Sequence, residues 1–235
     1  EQKIIPMRTY KRQRAEGGCY FFTVNLANRQ NYDLLIREIA ALREAIRQTR
    51  INHPFASDAI VVLPEHLHTI WQLPPDDHDF STRWRLVKSR FSQAIKTDEH
   101  VSESRKKKGE RGVWQRRFWE HLIRDEEDYA RHADYIHYNP VKHGHCATAA
   151  DWPYSSFHRW VARGIYPLDW AAGGETNATN FEQPSGDRRL KDRTSPSPPQ
   201  RVNKASKLEA PGRLLITAGS NYLRQPRFGR RRLQT

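Results

Sequence analysis

Ala59-Ile60-Val61-Val62-Leu63-Pro64-Glu65-His66-Leu67-His68-Thr69-Ile70-Trp71 is the stretch that decides how this chain folds and where its chemistry sits. The β-branched and aromatic residues on both sides of Pro64 read as strand. Pro64 has no N–H to give to a ladder, so the run breaks into a hairpin, 59–63 and 66–73. Strand side chains alternate faces, so His66 and His68 point the same way, roughly 6.5 Å apart along the strand. With ordinary pKa values near 6.5, both imidazoles are mostly neutral at pH 7 and available to one divalent cation. Two nitrogens alone bind weakly; a third ligand and open positions make such a site catalytic. The competing reading is a pair of surface histidines, and the 11 histidines of the chain give it weight.

Outward from this hairpin, Gly17-Gly18 marks a turn before the aromatic strand 19–26. Apolar residues at three- and four-residue spacing predict a helix over 33–50, with Asn31 or Asp33 as cap. A second helix spans 81–96, capped by Ser81. Residues 97–112 are polar, Lys-rich and glycine-containing, a loop. A strand follows over 113–123. Four acids, Asp125 to Asp128, open a third helix that runs to about Tyr138, where Pro140 stops it. A short helix begins at Phe157. The order β-α-β-β-α-β-α predicts an α+β domain, a ferredoxin-like antiparallel sheet with helices packed on one face. The histidine strand is expected at the centre, with the third helix presenting Tyr135 to it.

Lys and Arg number 40 against 27 acids in 235 residues, a net charge of +13. That balance suits a polyanionic partner, nucleic acid first and an acidic membrane second, and charge alone weighs this about evenly with a merely solvated basic surface. After Trp170 the composition shifts to Pro, Ser, Gly and Asn, and residues 171–235 carry +8 of the net charge. The division expected is a basic arm at 1–16, a folded domain at 17–170 and a disordered basic tail at 171–235. Residues 1–6, ahead of Met7, are set aside as an extension or tag. Cys19 and Cys146 form no CxxC pair, which fits a reducing cytoplasm. No apolar run approaches 18 residues, so no membrane span is expected.

On the third helix, Tyr135 and Asn139 share a face at i, i+4. A free tyrosine has a pKa near 10, so about one in a thousand is phenolate at pH 7. As a nucleophile it needs a neighbouring base or cation; otherwise it is a core aromatic. Tyr129 and Tyr138 lie on the same helix, and spacing leaves the choice among the three open. A metal would polarise a scissile phosphate, and Asn139 would add a carbonyl oxygen to it.

Several segments together carry a family resemblance. They are Gly17 to Leu26 (GGCYFFTVNL), Val61 to Trp71 (VVLPEHLHTIW), Arg117 to His121 (RFWEH), Asp134 to Gly144 (DYIHYNPVKHG) and Trp152 to His158 (WPYSSFH). From about residue 7 to 170 the chain resembles the REP-associated tyrosine transposases, single-tyrosine HUH transposases of bacteria that act on repetitive extragenic palindromes. The resemblance implies His66 and His68 as metal ligands, Asn139 as a third, and Tyr135 as the nucleophile. It implies cleavage of single-stranded DNA beside a hairpin through a 5′-phosphotyrosine, with Mg2+ or Mn2+, in a monomer or homodimer. The Lys-rich 97–112 loop is longer than the family leads one to expect, and the long tail beyond Trp170 does not look like family sequence. Arg8, Lys11, Arg12, Arg14, Arg83, Arg85, Lys88, Arg90, Arg116 and Arg117 are the candidate DNA contacts. Two other readings remain: an RRM-like or ferredoxin-like nucleic-acid binder without catalysis, and a metal nuclease that uses water.

Overall fold

The computed structural model describes residues 13–28, 33–96 and 111–172, all within the first of two units, Glu1–Phe181. Arg8, Lys11 and Arg12, Asn31, most of the 97–112 loop and the tail from 173 lie outside the described residues. The elements in chain order are β1 (Cys19–Asn25), α1 (Leu34–Arg37), α2 (Ile39–Asn52), β2 (Ala56–Val62), β3 (His66–Gln72), α3 (Phe80–Ala94), β4 (Trp119–Leu122), α4 (Glu126–Lys142) and α5 (Phe157–Val161). A single 3-10 turn, Ala149–Asp151, lies between α4 and α5. The four strands form one sheet in the order β2-β3-β1-β4, with every pairing antiparallel. The α+β class and the antiparallel sheet are as the sequence predicts, and β3 is central. Pro64 and Glu65 sit in the β2–β3 turn, where a missing N–H costs the ladder nothing.

Helices cover both faces of the sheet, not one. The reason is legible in β1 and β3, whose first six residues are buried irrespective of parity. Tyr20, Phe22 and Val24 of β1 and Leu67 and Trp71 of β3 join a core with α2 and α3. Trp71 stacks on Trp84 of α3 at 4.1 Å between centroids, and Phe22 meets both tryptophans edge-on. The opposite parity, Phe21, Thr23, His66, His68 and Ile70, lies under α4. Phe21 there touches His132 at 4.8 Å and Tyr135 at 6.0 Å. Burial on this scale supplies most of the stability of such a sheet, at about 25 cal/mol per Å² of apolar surface.

Local chemistry shifts several boundaries. Asp33 caps α1 by position, but its carboxylate binds Arg37, and the predicted single helix breaks at Glu38. Asp79, not Ser81, caps α3, accepting from the Thr82 N–H at 3.0 Å. The 113–123 strand shrinks to β4, with Trp114 making only an isolated bridge to Leu26. Pro140 does not end α4, which continues to Lys142. So close to the C-terminus proline forfeits one helical bond, and its own carbonyl accepts from His145 N at 2.9 Å. Gly17 takes φ +62°, and a Cβ there would press on the Pro75 backbone at 3.1 Å, so this turn requires glycine. The β2 edge is closed by the segment before α5, where Val61 bridges Ser155 and the Ser156 N–H reaches the Ile60 carbonyl.

Arg83 is a correction to the candidate DNA contacts. It is only 2% exposed, and its guanidinium donates to Asp77 (2.6 Å) and to the carbonyls of Asp79 and Pro54. Its charge therefore ties the start of α3 to the end of α2. Arg83→Ala is expected to cost about 3 kcal/mol in a urea titration, because three acceptors lose a charged donor. Hairpin affinity per folded molecule should be unchanged; a large loss of affinity at full stability would return Arg83 to the DNA surface.

Candidate active site

Antiparallel pairing of β1 with β3 sets Thr23 opposite His68 and Asn25 opposite His66. Thr23 Oγ1 lies 2.9 Å from His68 Nδ1. On the second histidine, His66 Nδ1 lies 3.0 Å from the Glu65 carboxylate. A carboxylate only accepts, so in the neutral ring His66 Nδ1 carries the proton and Nε2 keeps the lone pair. With Thr23 accepting in the same way, His68 also presents Nε2, and that atom is buried with no hydrogen-bond partner. The two rings stand 4.8 Å apart at 83°. Metal-binding histidines are oriented by such partners on the other nitrogen.

α4 brings the other half of the site. The Tyr135 ring meets His68 edge-on at 5.1 Å. One turn on, Asn139 is fully buried, and its amide oxygen and nitrogen lack a hydrogen bond of regular geometry, although it lies close enough to the phenol to lower its pKa. Burial is the larger influence and raises the Tyr135 pKa above its ordinary 10.0. Lys142 places its ammonium 5.3 Å from the centre of the Tyr135 ring. At the end of α4, His143 stands 5.7 Å from His66.

Electrostatics keep His68 and His143 neutral. Burial, then the neighbouring His66, His143 and Lys142, hold His68 well below the ordinary histidine range. Burial and His66 push His143 down to about 4. Glu65 is raised by burial but more strongly lowered by the hydrogen bond and charge of His66, ending at about 2. A buried neutral imidazole with an unused lone pair and a phenol in contact with it, with a buried amide one helical turn on, are groups suited to a cation and a phosphodiester.

The rival tyrosines are placed elsewhere. Tyr129 hydrogen-bonds Asp58 at the β2 bulge and stacks on Trp160. Tyr138 is buried, and among the described residues the tyrosine with a ring contact to His68 is Tyr135. Of the basic candidates, Arg14, Arg85, Arg116 and Arg117 are exposed. Arg85 and Lys88 belong to α3, on the sheet face away from the histidines. Lys88 donates to the Gln115 carbonyl and lies over Phe118, and Arg90 donates to Thr49.

Sequence reading missed Glu65, Thr23, Lys142 and His143 around the pair. It also missed a second group, His121 of β4 with Asp128 and His132 of α4, whose ligand-type atoms lie within 4.8 Å of one another. Asp128 accepts from His121 Nε2 (2.8 Å) and from the Arg124 N–H (3.1 Å), and the His132 Nδ1–H donates to the Asp128 carbonyl (2.7 Å). The two rings stack at 15°, so their in-plane lone pairs do not converge on one point. This group pins the first turns of α4 to β4, three residues ahead of Tyr135.

No family model matches the chain. It is 49% identical over 165 residues to the REP-associated tyrosine transposase of Escherichia coli K12, covering 70% of this chain and 92% of that protein. A putative REP-associated tyrosine transposase of Haemophilus influenzae is 47% identical over 165 residues, 70% of this chain and 93% of its own. Among solved structures, a REP-associated tyrosine transposase bound to a REP hairpin superposes with a TM-score of 0.63 at 47% identity, covering 74% of this chain and 95% of that one.

The Asp128 group makes an acid-stability prediction. Burial raises its pKa, but the His121 and Arg124 hydrogen bonds outweigh that and lower it from 3.8 to about 2. A carboxylate depressed in the folded state stabilises above its unfolded pKa and loses that stabilisation as pH falls through the folded value. Between pH 5 and pH 2 the protein should therefore lose about 2 kcal/mol more stability than its Asp128→Asn variant. Parallel losses, measured by denaturant titration at each pH, would show that this carboxylate does not anchor α4.

Proposed function

The chain belongs to the REP-associated tyrosine transposases, and from that premise we propose that it is a single-stranded DNA endonuclease and strand transferase that works through Tyr135 on REP-type hairpin DNA. The observation that carries this reading is the edge-on contact of Tyr135 with His68, on the one sheet face that also holds His66.

The donor set fits a divalent cation. His66 and His68 each offer Nε2, and the otherwise unused Asn139 amide offers its oxygen. Two imidazoles and one carbonyl oxygen suit Mn2+ somewhat better than Mg2+, which prefers oxygen alone. A cation held there supplies Lewis-acid polarisation of a phosphate oxygen.

The chain's own residues supply the rest. Tyr135 presents its Oη to phosphorus from a buried ring that Phe21 and His68 hold by edge contacts. The Oη–P bond forms and the P–O3′ bond breaks. The phenol proton leaves to solvent, the 3′-oxygen takes up a proton, and the 5′ end stays on Tyr135 as a phosphodiester. Attack of a 3′-hydroxyl on that linkage reverses the exchange without ATP, because one phosphodiester replaces another. Thr23 and Glu65 fix the tautomers of the two histidines throughout. Exposed Arg14, Arg116 and Arg117 are proposed as contacts to the DNA backbone.

The test is incubation with single-stranded hairpin oligonucleotides and Mn2+, read on denaturing gels. The wild type should form a DNA adduct that chelator abolishes. Tyr135→Phe should bind hairpin within about twofold of wild type and form none. His66→Ala should slow cleavage about 100-fold or more while remaining folded. Cleavage without an adduct would favour a water-using nuclease; binding without cleavage would favour a non-catalytic module.

A further inference from the structure

We propose that Lys142 is the cationic contact for the phosphodiester that lies against Tyr135, seizing a non-bridging phosphate oxygen. This rests on the single-strand reading above and adds a residue to it.

Three observations carry it. First, α4 runs through Pro140, so Lys142 falls seven residues after Tyr135 and three after Asn139, on the same helical face. Had the helix stopped at the proline, that alignment would be lost. Second, the ammonium lies 5.3 Å from the Tyr135 ring centre. Third, the tyrosine is 5% exposed while Lys142 is exposed, so the charge sits at the outer side of a buried nucleophile. The nearby carboxylate, Glu65, is engaged by His66. A phosphodiester reaching Oη thus comes within range of the Lys142 ammonium.

The chemistry suits lysine. Attack on phosphorus adds negative charge to the non-bridging oxygens, and a fixed cation beside them stabilises that charge more than it stabilises the ground state. Lysine is a compact charge on a flexible stem, and its contact with an aromatic face at an exposed site is weak enough to be exchanged for a phosphate. The same ammonium then stays beside the phosphotyrosine for the return reaction.

The experiment uses the full chain in chelator, where binding is measured without cleavage. Hairpin oligonucleotides carry one uncharged methylphosphonate at successive linkages of the single-stranded foot. In the wild type, one neutral linkage should weaken binding about tenfold. In Lys142→Gln the parent oligonucleotide should bind about tenfold more weakly, that linkage should make no further difference, and the melting temperature should be unchanged. Lys142→Arg should restore the dependence. If every neutral linkage costs Lys142→Gln as much as it costs wild type, the lysine only packs on the ring and the inference is overturned. The two readings fail separately. Linkage-specific coupling without any wild-type adduct would keep the phosphate contact and remove the covalent reaction. An adduct with no coupling to residue 142 would do the reverse.

Discussion

The antiparallel register of β1 on β3 is the constraint from which the site follows. It sets Thr23 opposite His68, with Oγ1 2.9 Å from Nδ1. A slip of one residue would send both histidines into the tryptophan core and bring Leu67 to the α4 face. The slip is prevented by the aromatic packing of the other parity. Phe22 and Trp71 fit among Phe80, Trp84 and Phe118, contacts that a one-residue slip would lose. The chemistry on one face is thus held in place by apolar burial on the other.

Phe21 is the joint between that sheet and α4. Its ring touches His68, Trp119, His132 and Tyr135. Behind it, the His121–Asp128–His132 hydrogen bonds lock the start of α4, and the C-terminal turns then deliver Tyr135, Asn139 and Lys142 in sequence. Buried polar groups with unused atoms are costly in a core. His68 Nε2 and the Asn139 amide carry such a cost near Tyr135.

Much of this was legible in the chain. Alternation placed His66 and His68 on one strand face, Pro64 marked the hairpin turn, and i, i+4 spacing joined Tyr135 to Asn139. Other features were hidden for physical reasons. Period-two patterning fails where both faces are buried, so helices on two sides could not be told from helices on one. Pro140 is a helix breaker in general, but at a C-terminal turn it loses one bond, and reading it as a stop concealed Lys142. Arg83 looked like surface charge because nothing in its local sequence reveals acceptors contributed by Pro54, Asp77 and Asp79. Thr23 and Asp128 gain their meaning only from strand pairing and helix docking, which no local window contains.

The central claim is that one phenol, set beside two imidazoles, becomes joined to DNA. Its most direct measurement is mass-spectrometric mapping of the DNA-linked peptide after reaction of the intact chain with a hairpin oligonucleotide and Mn2+. The account predicts a nucleotide phosphate on Tyr135. A linkage on Tyr129 or Tyr138 would contradict it.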